Sequence, residues 1–466
     1  MIPERLRWLT DPQGAPATLG RLFEDAGHAL YLVGGSVRDA ILGRPHVDFD
    51  YATDARPERV KEIVAGWGDT VFTVGEAFGT VGVRRDGRTH EITTFRSEIY
   101  REESRKPRVT YSDTIEEDLS RRDFTVNAMA IRLPGAETVD PHGGLVDLAR
   151  RLLTTPLDPH VSFSDDPLRM LRLYRFQATL GFEADPAAEA AVREMAGRMS
   201  IVSAERIRDE FSKLITADAP GEALLALTES GLADVFMPEL GQLAMAQDPV
   251  HRHKDVLRHT IAVAEKASPD LVLRLAALLH DVGKPATREF GPSGVTFHHH
   301  EVVGARMARD RLRELRFPKE VVEDVRRLVF LHLRPHTLKM GWTDSAVRRY
   351  VRDAGPLLGR LNELVRCDVT TANERRARSI QARIDELEER IEDLSQREEL
   401  EALRPPIDGH AVMEYLGISP GRQVGEIMAM LLEKRIEDGP YTEGDAYSLI
   451  REWAVSGGLT DPGPRE

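Results

Sequence analysis

Cysteine is almost missing from this 466-residue chain: Cys367 stands alone. That excludes a disulfide scaffold or a cysteine zinc finger, and it points to a reducing, cytoplasmic compartment. No apolar run approaches the roughly 18–20 residues that a membrane-spanning helix needs. The N-terminal Met1-Ile2-Pro3-Glu4-Arg5 opens on proline and charge rather than on a secretory leader. A surplus of positive charge is missing too. Lys and Arg number 63 against 77 Asp and Glu, a net charge of −14, so any contact with RNA must come from local basic patches rather than from bulk attraction. Aromatics are sparse at 6%, but 41% hydrophobic residues over this length suffice for several cores without a metal or disulfide staple.

The patterning predicts an α+β chain. Ala29-Leu30-Tyr31-Leu32-Val33 reads as a strand that breaks at Gly34-Gly35, and a helix then runs from Ser36 to a C-terminal Gly43. Val47-Asp48-Phe49-Asp50-Tyr51-Ala52 alternates as a second strand. Three more strands lie between Thr70 and Phe95, with an Asp86-Gly87 hairpin signal before the last. From Asp165 onward strand signals disappear and apolar residues recur at helical spacing. The expected parts are a mixed-sheet head over residues 1–150, a helical neck over 151–246, a histidine-rich helical segment over 247–372 and a C-terminal helical region over 373–466.

Two clusters carry chemistry. In the head, Gly34-Gly35 between strand and helix lets backbone N–H groups approach a triphosphate, with Arg38 one turn further on. Asp48 and Asp50 fall two apart on a strand, hence on one face with Phe49 on the other. Two carboxylates side by side repel unless something positive lies between them, the pattern of a Mg²⁺ pair. Glu91 on a later strand could be a third carboxylate, but it reads at least as well as a solvated or ion-paired glutamate and is set aside from the core site. In the helical segment, His280-Asp281 ends an apolar helix, joined by His259, His300, His332 and Asp368. Imidazole and carboxylate suit Mg, Mn, Fe, Ni or Zn. His259, His280, Asp281 and Asp368 would hold one ion, and His300 with His332 a second. His298 and His299 read as surface residues.

The order of motifs resembles the class II CCA tRNA nucleotidyltransferase and bacterial poly(A) polymerase family. Leu32-Val33-Gly34-Gly35-Ser36-Val37-Arg38-Asp39 with Asp48-Phe49-Asp50 is similar to its first motif. Arg121-Arg122-Asp123-Phe124-Thr125-Val126-Asn127 resembles its ribose- and phosphate-binding motif, and Asp140-Pro141-His142-Gly143-Gly144 its head-to-neck connector. Asp166-Pro167-Leu168-Arg169 with Arg172 and Arg175 resembles its base-selecting helix, although Asp165 stands where glutamate is commoner. Ser203-Ala204-Glu205-Arg206-Ile207 falls at a neck-stabilising motif. The histidine–aspartate order resembles the HD phosphohydrolase superfamily over about residues 250–370.

The resemblance implies a polymerase-beta-like head, an all-α neck and an all-α HD domain. It implies a nucleotidyltransferase that adds C, C and A to the tRNA 3′ end from CTP and ATP without a nucleic-acid template, with neither membrane nor DNA as a partner. Asp48 and Asp50 would hold two Mg²⁺ ions, one activating the 3′-hydroxyl and the other stabilising the pyrophosphate. Gly35, Arg38, Arg122 and Asp123 would bind the nucleotide. Asp166 would accept from the exocyclic amine of C or A, Arg169 would donate to the ring, and Arg172 and Arg175, spaced along the same helix, would face phosphates. The basic half of residues 100–108 would form a mobile loop that helps the switch from C to A. Arg348-Arg349 and Arg375-Arg376 could serve as tRNA contacts, although each arginine by itself reads first as part of a solvated helix face. A poly(A) polymerase, or an HD phosphohydrolase whose head only docks RNA, would share much of this pattern.

Overall fold

The computed structural model describes residues 4–44, 48–72, 79–99, 108–245, 255–291, 294–337, 343–369, 374–398, 403–457 and 460–463. They fall into two compact units, Met1–Gln242 with Glu314–Phe317, and Leu243–Arg313 with Pro318–Glu466. Residues 100–107 of the basic segment lie outside the described residues.

Nine strands open the first unit: β1 Leu30–Val33, β2 Asp48–Thr53, β3 Thr70–Phe72, β4 Thr80–Arg85, β5 Arg88–Thr94, β6 Arg96–Ile99, β7 Arg108–Tyr111, β8 Ala130–Leu133 and β9 Glu137–Val139. Seven form one sheet in the order β3-β4-β5-β2-β1-β8-β9, and β6 pairs with β7 apart from it. Only β2 and β5 run parallel within that sheet; the other pairs are antiparallel. Asp86-Gly87 makes the two-residue β4–β5 turn, both residues in the left-handed region at φ 50° and 75°, as a hairpin of matching twist requires.

The β2 alternation is enforced from below. Phe49 and Tyr51 are buried, Phe49 stacking on His90 at 5.1 Å and meeting Trp8 at 5.5 Å. Burying each such ring is worth roughly 1.5–3 kcal/mol. A one-residue slip would expose both rings and bury both aspartates, so the aromatic layer sets which face carries Asp48 and Asp50. Helices follow, joined by a short parallel pair, β10 Leu152–Leu153 with β11 Glu183–Ala184. Helix Leu168–Leu180 packs against helix Ala204–Ile215.

The second unit is built mainly of helices, among them Val256–Lys266, Leu271–Leu279, Lys319–Leu331, Asp344–Ala354 and Leu358–Cys367, with a further helix starting at His300. A hairpin interrupts them, β12 Arg288–Gly291 with β13 Gly294–Phe297. Sequence patterning expected no strand here; four residues a side are too few for a periodic signal, although Gly291-Pro292-Ser293-Gly294 is turn-forming. Helices Gly409–Leu416, Arg422–Asp438 and Glu443–Ser456 share a core of Ile407, Val412, Ile427, Leu431 and Ile450. Among the described residues no helix is long and apolar enough to cross a membrane.

Arg348 and Arg349, read from the sequence as tRNA contacts, are engaged inside this unit. Arg348 is buried, donates through Nε and Nη2 to Glu398 at 2.8 Å, and donates through Nη1 to the Ile436 carbonyl at 2.9 Å. Arg435 pairs with the same Glu398 at 3.2 Å, and Arg349 pairs with Glu433. A desolvated guanidinium needs a carboxylate, and Glu398 supplies it.

Arg348→Ala should therefore loosen helix Arg422–Asp438 by about 3–5 kcal/mol, read as faster amide hydrogen exchange there. Arg348, against burial and with help from Arg435, holds Glu398 below its usual pKa. The stabilisation is thus present above the unfolded carboxylate value of about 4.3 and should fade as pH falls through the lower folded one.

Candidate active site and metal centre

Gly34 caps helix Gly35–Leu42 at φ 69°, and a Cβ there would lie 2.7 Å from Arg122 Nη1. Only glycine both turns the chain and leaves room for that arginine. Ser36 stitches the helix start to β2: its hydroxyl accepts from the Asp50 N–H at 3.1 Å. Asp48 and Asp50 are both exposed on the sheet face. Packing around Asp50 raises its pKa, Arg122 works against the rise and Asp48 adds to it. Arg122 is itself steadied by Asp118 at 3.0 Å.

Parallel pairing sets Glu91 opposite Asp50. Its pKa is also raised, by desolvation first and then by Asp50 and Asp48. A third carboxylate therefore shares the face, one that sequence reading set aside; the register with β5 is non-local and no local pattern announces it. Asp48, Asp50 and Glu91 thus gather negative charge on one face, a set that a divalent cation relieves.

Arg38 and Asp123 are placed behind this face. Arg38 is buried, donating to Asn127 Oδ1 at 2.6 Å and to Asp39 at 2.8 and 2.9 Å. Asp123 accepts from the Phe124 N–H at 2.8 Å, Asn127 Nδ2 at 2.9 Å and Arg172 Nε at 2.8 Å. Burial opposes its charge, but Arg172 and these N–H donors outweigh burial and hold the carboxyl far below the usual range. Arg172 also meets Glu210 at 3.3 Å, and Arg175 meets Glu210 at 2.6 Å while lying 3.7 Å over the Phe176 ring. Both arginines thus face carboxylates, where the sequence suggested phosphates. Burial pulls Arg175 down to about 10, with Arg172 adding and Glu210 resisting.

Asp166 and Arg169 do not share a helix. Helix Leu168–Leu180 carries the arginines, whereas Asp166 caps the preceding helix Pro159–Asp165 in an extended conformation, φ −146° and ψ 100°. Pro167 is the cause, because the residue before a proline is pushed out of the helical region. Asp166 Oδ1 accepts from the Leu168 N–H at 3.2 Å and Oδ2 from Arg206 Nη2 at 2.9 Å. Arg169 is buried and donates to Ser162 Oγ at 2.9 Å and to the Arg121 carbonyl. The acceptor and the donor are thus held by separate partners.

In the second unit six predicted ligands converge. His259, His280 and Asp368 form one group and Asp281, His300 and His332 another, with one ligand atom from each residue within 4.8 Å of the others in its group. Sequence reading gave Asp281 to the first group. Its Oδ1 lies 3.4 Å from His300 Nε2, while Oδ2 lies 3.2 Å from His280 Nε2 and 3.5 Å from His259 Nε2, so it faces both. Nδ1 of His280, His300 and His332 sits 2.7–2.8 Å from the carbonyls of Ala277, Phe297 and Val329. A carbonyl only accepts, so Nδ1 carries the proton and Nε2 keeps its lone pair. All three Nε2 atoms are buried without a hydrogen-bond partner, the state of imidazoles built to ligate a metal.

Gly283 lets the chain fold onto this centre, since a Cβ there would lie 2.2 Å from the His300 carbonyl. Lys284 Nζ lies 2.6 Å from Asp281 Oδ2. Cys367, buried beside Asp368, has its thiol pushed up to about 11, chiefly by burial.

Comparison with known proteins follows the same division. Residues 30–154 match the poly A polymerase head domain, 181–243 the probable RNA and SrmB-binding site of polymerase A, and 256–384 the HD domain. Heads and HD domains of these kinds generally use divalent metals. The A-adding tRNA nucleotidyltransferase of Deinococcus radiodurans is 34% identical over 91% of this chain and 95% of its own length. The CC-adding tRNA nucleotidyltransferase of Thermus thermophilus is 33% identical over 90% of this chain and 93% of its own. The crystal structure of the Bacillus stearothermophilus CCA-adding enzyme in complex with CTP superposes with a TM-score of 0.69, covering 98% of this chain and 99% of that one at 24% identity, a likeness of fold. Matched nearly end to end by two such relatives, and carrying the head, the RNA-binding segment and the HD domain in order, the chain belongs to the tRNA nucleotidyltransferase family built on a poly(A) polymerase head.

Proposed function

We propose that the chain completes tRNA 3′ ends, adding C, C and A from CTP and ATP in the cytoplasm. The observation that carries this reading is the set of three carboxylates on one sheet face, Asp48, Asp50 and Glu91, beside the helix start at Gly34-Gly35 and Arg122. Two magnesium ions bound by the carboxylates would activate the tRNA 3′-hydroxyl and neutralise the departing pyrophosphate. Gly35 and the free N–H groups of its helix would receive the triphosphate, with Arg122 alongside. Arg206, 2.9 Å from Asp166 Oδ2, would hold that side chain in place as the acceptor for an exocyclic amine. Arg169, held by Ser162, would supply the donor. Arg38, Asp123, Arg172 and Arg175 would brace the selecting residues against the head. We take residues 1–150 as the transferase head, 151–246 as the neck, 247–372 as the HD domain and 373–466 as a tRNA-facing helical region.

The relatives matched nearly end to end include one A-adding and one CC-adding enzyme, so addition of only part of CCA is the second reading. On a tRNA lacking CCA, CTP alone should add two residues and CTP with ATP three. Growth by C alone with both nucleotides present, or no growth until CC is already in place, selects the second reading. Asp50→Ala should lower turnover by several kcal/mol of transition-state stabilisation, about a thousandfold, while tRNA binding by filter assay holds.

Arg169→Ala should lower kcat/KM for CTP and ATP and narrow their advantage over UTP by about 5- to 150-fold. Equal losses for all three nucleotides would make Arg169 a scaffold residue.

For the HD centre we propose a divalent-metal phosphoesterase acting on RNA ends, resting on the three orphaned imidazole nitrogens. His280→Ala should remove bound metal by mass spectrometry and abolish cyclic-phosphodiesterase activity, leaving nucleotide addition near wild type. Loss of both activities in a folded variant would defeat this separation of roles.

A further inference from the structure

We infer that the β12–β13 hairpin is a base-stacking subsite serving the HD centre, so that the nucleoside of a terminal phosphoester is held outside the metal ligands. This rests on the phosphoesterase reading above. The hairpin is the stretch of chain between Asp281–Lys284 and His300, and its last residue accepts the Nδ1–H of His300 at 2.8 Å through the Phe297 carbonyl. Its position is therefore tied to a ligand.

Register decides what it presents. Arg288 pairs with Phe297 and Phe290 with Val295. Directly opposed residues, and residues two apart on one strand, project to one face, so all four share it. Two cations lie beside the rings of this face. Lys284 Nζ, 2.6 Å from Asp281, lies 5.7 Å from the centre of the Phe297 ring. Arg288 follows, its guanidinium 4.7 Å from the centre of the Phe290 ring. Phe290 lies two residues beyond Arg288, about 7 Å along the strand, within a nucleotide's reach of the phosphate-attracting cations.

Phe290 is 68% exposed, the most exposed large hydrophobic side chain among the described residues, the next being 52%. A hairpin this short gains no core from a ring left in water. A flat π-face reached from the metal ligands past Lys284 and Arg288 matches a nucleobase joined to a phosphate: the base stacks on Phe290, and Lys284 and Arg288 take the negative charge. Such stacking tolerates any base, because every base has a π-face.

The test uses full-length Phe290→Trp stripped of metal, with the signal of the parent chain, whose four tryptophans include Trp8 beneath the head site, subtracted so that only the added indole is read. Adenosine monophosphate should quench that indole saturably, and ribose 5-phosphate should compete about 5- to 150-fold more weakly. With metal restored, Phe290→Ala should raise KM for a nucleoside 2′,3′-cyclic phosphate in the same range, leave kcat unchanged, and leave a base-free cyclic phosphodiester unaffected. An indole indifferent to adenosine monophosphate, or an unchanged KM in Phe290→Ala, overturns the subsite and leaves the phosphoesterase intact. Saturable quenching without any hydrolysis removes the phosphoesterase and keeps the subsite. Self-association of the chain that Phe290→Ala abolishes, with nucleotide binding unaltered, would assign the ring to a protein contact and overturn the proposal.

Discussion

Asp123 is the charge on which the first unit depends. It lies in the head, is removed from water, and keeps its ionised form only because Arg172 reaches it from helix Leu168–Leu180. Asn127 extends the network to Arg38, and Glu210 extends it to Arg175. The sheet, helix Leu168–Leu180 and helix Ala204–Ile215 thus meet through alternating buried charges. Each of those charges would be costly alone and is tolerable only with its neighbours in place. The interaction specifies one arrangement more than it adds stability, because mispairing any element strands a charge.

The HD centre solves a related problem by other means. His280 and His332 end helices and His300 begins one, so their backbones are fixed by capping geometry, and in each the carbonyl three residues earlier holds Nδ1. Ring orientation follows from local sequence, and only convergence needs the tertiary fold. Asp281 then faces both groups with different oxygens.

Local chemistry was legible in the sequence wherever its period was short. Gly34-Gly35, the Asp48/Asp50 face, the Asp86-Gly87 turn and the six metal-centre residues all follow from spacing, motif order and turn rules. What escaped was non-local or depended on one residue overriding a pattern. Glu91 joins Asp50 through the parallel β2–β5 register. Pro167 removes Asp166 from the helix that spacing by threes implied. Arg172 and Arg175 read in sequence as phosphate contacts and Arg348 as a surface cation, and only the fold reveals the carboxylates they bury against. The β12–β13 hairpin is too short to register as alternation.

The lone cysteine acquires a meaning beside the metal ligands. Cys367 immediately precedes Asp368, yet burial keeps its sulfur protonated at neutral pH. A neutral thiol is a poor ligand and a poor nucleophile toward peroxide. The centre therefore offers only nitrogen and oxygen, disfavouring soft ions such as copper(I) that a thiolate would capture. Among the described residues its candidate ligands are histidine and aspartate alone, so oxidation of a thiol would remove none of them.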